Sequence, residues 1–327
     1  MIVSRAPVRL SMGGGGTDLA SYYEKYGGFL MAAAINKYVY ILLNKRFNES
    51  IRLSYSRTEI VDSIEQIEHR IFKEALRFTK IEKQVELVSV ADMPAHCGLG
   101  TSSTFTVSLL NALFTYKKVY TSLEELAKSA CSIEIDILKE PIGKQDQYAS
   151  AIGGFNAYWF NKDGSVSVEP VAIKEEKLLE LQNNILLFYL KKERSASSIL
   201  GAQNKKIQDN DAGVIERLHK IKDMGLRTRK VFESGRIDEF GEILHEHWVT
   251  KKGLSVNISE PFIDEAYDTA RKNGALGGKV VGAGGGGFLL IYCPREKGRL
   301  LGAMEKLGFL PMWFAFEREG AKIIFNG

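Results

Sequence analysis

Three stretches of this chain join glycines to hydroxyl or carboxylate residues: Gly13-Gly14-Gly15-Gly16-Thr17-Asp18, Gly98-Leu99-Gly100-Thr101-Ser102-Ser103 and Gly282-Ala283-Gly284-Gly285-Gly286-Gly287. Glycines carry no Cβ, so clustered backbone N–H groups can turn toward one point and a ligand can approach closely. One such loop can be a simple turn. Three of them, far apart in the chain, suit a polyanion gripped from several sides, and phosphate handling is the leading chemistry.

The central loop has the clearest setting. Val85 to Val90 reads as a strand, Pro94 breaks it, and from Phe105 onward apolar residues recur at helical spacing. The first N–H groups of such a helix lack internal partners and lie at the positive end of its dipole, so they bind phosphate readily. The hydroxyls of Thr101, Ser102 and Ser103 can cap the helix or reach a metal ion. No Lys stands where a Walker A loop carries one, so Mg²⁺ is expected to supply the positive charge. The last cluster fits G-x-G-x-x-G formally, but the strand-like run Phe288 to Tyr292 follows it. That favours a glycine loop joining two strands over a dinucleotide fingerprint. Glu134 and Asp136 precede a Pro/Gly turn, where an isolated carboxylate is often simply solvated. Asp146 is followed at once by Tyr148, Ala149, Ala151 and Ile152, and is expected to enter an interior cleft.

The elements that must hold these residues are mixed. Strand patterns occur at Ile2 to Leu10, Phe29 to Phe47, Val85 to Val90, Gly154 to Phe160 and Ile185 to Leu190. Helical patterns run from Ser102 to about Lys117, from Ser122 to Leu138, between Ser195 and Lys252, and from Pro261 to Lys272. No βαβ period repeats, so the fold class is α+β. A length of 327 residues implies two domains, expected at 1–180 and 181–327. A net charge of +4, without a basic tract, argues against nucleic acid as partner and suits an anionic small molecule. Cys97, Cys131 and Cys293 lack CxxC spacing and read as reduced core thiols of a cytoplasmic protein. The apolar run from Phe29 to Leu43 is interrupted by Asn36 and Lys37, so it reads as buried β structure without a membrane role.

With these motifs in this order, the chain resembles the GHMP kinases, named for galactokinase, homoserine kinase, mevalonate kinase and phosphomevalonate kinase. The resemblance rests on Ala6-Pro7-Val8-Arg9 with Gly16-Thr17-Asp18, Pro94 with Gly98 to Ser102, and Gly282 to Gly286. It implies a ribosomal-protein-S5-like N-terminal domain, a ferredoxin-like C-terminal domain and ATP as co-substrate. It also implies roles: Pro94 and residues 98–103 for the nucleotide, Ser102 and Glu134 for Mg²⁺, and Asp146 as catalytic acid/base with Arg9 beside it. Gly15, Gly16, Thr17, Asp18, Gly284 and Gly285 would meet the sugar, with Asp18 holding its hydroxyls. Where galactokinases carry Glu-His before Thr-Asp this chain has Gly15-Gly16, which speaks against galactose. The first motif most resembles bacterial kinases acting on C1 of D-glycero-D-manno-heptose 7-phosphate, in the synthesis of nucleotide-activated heptose. Arg194, Lys251 and Lys252 lie in segments similar to that subgroup and are the expected cationic contacts to a substrate phosphate. A neutral-sugar kinase related to fucokinase and a non-catalytic sugar or nucleotide sensor are the alternatives. The oligomeric state is left open, a homodimer included.

Overall fold

The computed structural model describes residues 1–192, 196–255 and 258–327. Strand β1 (Ile2–Gly13) leads through α1 (Ala20–Tyr26) to β2 (Gly28–Lys45), followed by β3 (Ile51–Ser54), β4 (Thr58–Val61), α2 (Arg70–Thr79) and β5 (Val85–Ala91). Helix α3 (Thr101–Tyr116) opens from the central glycine loop. After it come α4 (Leu123–Cys131), a π-helical turn (Ser132–Ile137), α5 (Gln145–Ile152), β6 (Phe155–Phe160) and β7 (Val166–Pro170). The second half runs through α6 (Glu175–Asn184), β8 (Ile185–Tyr189), α7 (Ala196–Gln208), α8 (Ala212–Glu233), α9 (Glu239–Lys252) and α10 (Pro261–Lys272). It ends with β9 (Gly277–Val280), β10 (Phe288–Tyr292), α11 (Lys297–Lys306), β11 (Pro311–Met312) and β12 (Lys322–Asn326).

The first sheet is ordered β12-β1-β2-β5-β3-β4, with β6 and β7 extending from β2, and only β3 against β5 is parallel. Its spine is β2, which pairs with β1 along one edge and with β6 and then β5 along the other. Residues 28–35 of β2 are buried on both faces and therefore read as one apolar run; beyond Asn36 burial largely alternates. The most membrane-like stretch of sequence is thus the centre of a sheet, and among the described residues no helix is long and apolar enough to cross a membrane. The second sheet, β11-β8-β10-β9, is antiparallel throughout.

Two close helix contacts fix the site. Helix α8 lies directly on the first glycine loop: a Cβ built on Gly225 would stand 3.1 Å from Gly14 N and Cα. Helix α9 lies on β9 in the same way, a Cβ on Gly277 falling 1.9 Å from Gly241 O. The helix expected from Ser122 to Leu138 is interrupted. After Cys131 the backbone widens into the π turn, which turns Ile133 and Glu134 into the interior; such turns frequently occur at functional sites. All three cysteines are free and buried.

Candidate active site

A cavity of about 390 Å³ is lined from both halves of the chain, with Arg9, Asp18, Glu134 and Asp146 on one side and His247, Lys251 and Lys279 on another. Arg9, on β1, is 3% exposed and donates through Nε to Asp146 Oδ1 at 2.7 Å, while its Nη2 stands 2.6 Å from the same oxygen. Its third donor, Nη1, reaches Gly98 O at 2.6 Å. One guanidinium therefore ties the acidic residue at the start of α5 to the loop before α3.

That loop leaves α3 open at its start. Gly100, in the left-handed region, is the N-cap and no side chain caps the helix. The first-turn N–H groups are therefore free for an anion. Gly98, Gly100, Thr101, Ser102 and Ser103 line the cavity. Leu99 is fully buried, and Pro94 serves the loop's shape by accepting a hydrogen bond from Thr101 Oγ1 at 3.3 Å.

Glu134 is buried without a cationic partner in contact. Gln147 Nε2 donates to Oε2 at 2.7 Å and Ser103 Oγ to Oε1 at 3.3 Å. Burial, reinforced by the charge of Asp146 and opposed by these hydrogen bonds, raises its carboxyl to about 7. The hydroxyls that reach Glu134 belong to Ser103 and Thr106; Ser102, one residue around the helix from Ser103, is exposed on the cavity wall. Carboxylate and hydroxyl oxygens are the donors a hard divalent cation takes. Among the described residues no group of three or more His, Cys, Asp or Glu gathers to hold a metal. A cation here would therefore draw most of its ligands from nucleotide phosphates.

Asp18 is 2% exposed and is held by Gly16 N at 3.1 Å, Gln145 N at 3.2 Å and Gln145 Nε2 at 3.1 and 3.0 Å. Burial, and then the charge of Asp146, raises its pKa. Gly15 and Gly16 line the cavity beside it. Thr17 does not line the cavity. Its hydroxyl is buried and bonded to Gly14 O and Phe29 O, which fastens the loop to β2.

The third glycine loop joins β9 to β10, as its flanking sequence suggests. Gly282, Ala283, Gly284 and Gly286 line the cavity. Gly285 instead spends its N–H on Ile258 O at 2.9 Å. Lys251 faces the cavity, whereas Lys252 turns away to Asp264 at 3.0 Å, because adjacent residues on a helix project about 100° apart. Arg194 lies outside the described residues. Sequence reasoning passed over Gln203, His247 and Lys279, which also line the cavity. Gln203 Nε2, both ring nitrogens of His247, Gln145 Oε1 and Gln147 Oε1 are buried without hydrogen-bond partners. Their only advance signal is a polar residue set in an apolar neighbourhood, as in Gly278-Lys279-Val280-Val281.

The central and last glycine loops meet through backbone alone. Gly282 has φ +74, and a Cβ there would lie 2.7 Å from both Cα and O of Gly98. Gly282→Ala should cost on the order of 1–3 kcal/mol in backbone strain and push Gly98 off the Arg9 guanidinium. A lowered Tm together with a fall in kcat/KM of about tenfold or more is expected. Wild-type values in both would show that the crossing is dispensable.

The comparisons with known proteins agree with this arrangement. The model of the GHMP kinases N-terminal domain matches residues 60–154, and that of the GHMP kinases C-terminal region matches 228–308. A D-glycero-alpha-D-manno-heptose 7-phosphate kinase of Campylobacter jejuni is 32% identical over 98% of both chains. The crystal structure of a D-glycero-D-manno-heptose 1-phosphate kinase from Bacteroides thetaiotaomicron superposes with a TM-score of 0.82, at 29% identity over 100% of both chains. An L-fucokinase/L-fucose-1-P guanylyltransferase of Bacteroides fragilis is 26% identical over 89% of this chain and 34% of its own length. The chain belongs to the GHMP kinases, ATP-dependent phosphotransferases, and among them is a sugar kinase similar to those that act on heptose phosphates.

Proposed function

We propose that the protein transfers the γ-phosphoryl group of ATP to the C1 hydroxyl of a sugar phosphate, D-glycero-D-manno-heptose 7-phosphate being the substrate and the 1,7-bisphosphate the product. The observation that carries the reading is the convergence of the Arg9-bound Asp146 carboxylate, Asp18 and the uncapped start of α3 on one cavity. Likeness along the whole chain to heptose phosphate kinases supports the sugar. Those two relatives are named for different phosphate positions, so the position rests on the first motif and on the cations of the C-terminal wall. The fucokinase likeness supports a neutral-sugar kinase as the second reading.

In this mechanism the N–H groups of residues 101–103 and the glycine loops hold the triphosphate, with Ser102, Ser103 and Glu134 as the residues that would hold magnesium. Magnesium, when bound there, would neutralise phosphate charge. Asp18, with Gly15 and Gly16, orients the sugar hydroxyls. Asp146 accepts a hydrogen bond from the C1 hydroxyl and takes its proton as the bond to phosphorus forms. Phosphoryl transfer passes through a loose transition state, so positioning and charge stabilisation carry most of the catalysis. The division near residue 180 and a cytoplasmic location belong to the same reading.

Screening sugars and sugar phosphates for ADP release tests the proposal. Heptose 7-phosphate should give the highest kcat/KM among them. Better turnover of free fucose than of any sugar phosphate would favour the neutral-sugar kinase.

A further inference from the structure

Beyond the carboxylates, the C-terminal wall of the cavity holds three basic groups, His247, Lys251 and Lys279, with no acidic partner among the described residues. His247 and Lys251 are one turn apart on α9 and so share a face, and the close contact of α9 with β9 brings Lys279 to the same wall. His247 and Lys279 are 3% and 2% exposed. Neither ring nitrogen of His247 has a partner, and Lys279 has no hydrogen-bond or ion-pair partner among the described residues. Among the described residues Lys251 Nζ donates only to carbonyls, Val280 O at 3.1 Å and Gly282 O at 2.5 Å.

The cavity's carboxylates are engaged elsewhere. Asp146 is bound to Arg9, Asp18 to Gln145 and Gly16, Glu134 to Gln147 and Ser103, and Glu140 to Arg70. Without a counter-charge, burial and then the charge of Arg9 hold the Lys251 ammonium near 7. Burial and the neighbouring lysines push His247 well below its ordinary value; burial, Lys251 and Arg9 do the same to Lys279. Buried charges are normally paired, and these three groups face one cavity.

We propose that His247, Lys251 and Lys279 form a phosphate-dianion site on this wall, filled by the phosphate ester of the sugar; the choice of ester rests on the sugar-phosphate reading above. The uncapped start of α3 already offers the nucleotide a cradle of its own, which leaves this second cationic wall to a second phosphate. Charge-assisted donors of this kind bind phosphate strongly, and a neutral sugar would leave them unpaired.

The test uses the full-length protein with magnesium and a saturating non-hydrolysable ATP analogue, and inorganic phosphate as the probe. Phosphate should raise the Tm of the wild type and fail to do so for Lys279→Met and His247→Gln. Without phosphate, Lys279→Met should be at least as stable as wild type, because the substitution removes a buried amine that burial, Lys251 and Arg9 hold off its charged form. In kinetics, KM for heptose 7-phosphate should rise about tenfold or more in both variants, with KM for ATP unchanged. Equal phosphate stabilisation of wild type and variants would overturn the site. A rise in KM for ATP alone would overturn the sugar ester as its occupant. Failure of the wild type to use heptose 7-phosphate would remove the proposed substrate, while the phosphate titration would still decide the anion site.

Discussion

Asp146→Asn is expected to lower kcat by about 10²–10⁴, the usual worth of a positioned acid/base group, while ATP binds as before. The substitution keeps the shape of the side chain. Its amide oxygen can remain on Arg9, where Asp146 Oδ1 now accepts from Nε at 2.7 Å. The NH₂ group then takes the place of Oδ2, which lies against Gly100 at the mouth of the nucleotide loop. A donor would face the C1 hydroxyl where an acceptor is needed, so the hydroxyl loses both its orientation and its proton sink. In the proposed mechanism the nucleotide contacts come from α3 and the glycine loops, which the exchange does not alter. Steady-state kinetics with a separate titration of the ATP analogue distinguishes the two effects. A variant keeping half of the wild-type kcat would remove Asp146 from the chemistry.

The parts of this site that the sequence discloses are those whose chemistry is local. A glycine-hydroxyl loop between a strand and a helix must present free N–H groups wherever the rest of the chain goes, so residues 98–103 could be read as a cradle from sequence, and all of them but Leu99 line the cavity. Pro261 starts α10 and Lys272 ends it, as the helical pattern and the proline at the first position imply. Asp146 could be placed because small and apolar residues follow it. Features that depend on how distant segments meet were not legible. Part of the first glycine run serves packing: Gly14 lets α8 approach through Gly225, 211 positions later in the chain. Ser103 rather than Ser102 touches Glu134 because a π turn, invisible in the helical pattern of 122–138, sets the direction of that carboxylate. His247 and Lys279 carried no signal of a site in the sequence, since it is the seating of α9 on β9 that brings them to one wall.

Glu134→Gln should alter activity and stability in opposite directions. Loss of a second-sphere group commonly weakens metal binding about 10- to 100-fold, and a direct carboxylate ligand should be worth at least as much, so the magnesium concentration for half-maximal rate should rise by that factor or more. In the metal-free protein the effect reverses. Burial raises the Glu134 carboxyl from 4.5 to about 7, so the folded chain holds a proton that the unfolded chain has released in between. Stability therefore falls as pH rises from about 4.5 through 7, by an amount on the order of 3 kcal/mol once the group is ionised. Glutamine cannot ionise and should lack this loss, leaving the metal-free variant more stable than wild type at pH 8 and close to it at pH 5. Because magnesium with nucleotide favours the ionised carboxylate, it should stabilise the wild type more at pH 8 than at pH 6, and the variant equally at both. Denaturant unfolding across this range, with EDTA or with magnesium and the ATP analogue, reads out each arm. The same pH slope in wild type and variant would mean that Glu134 does not carry the buried charge, and an unchanged magnesium requirement would remove it from the metal site.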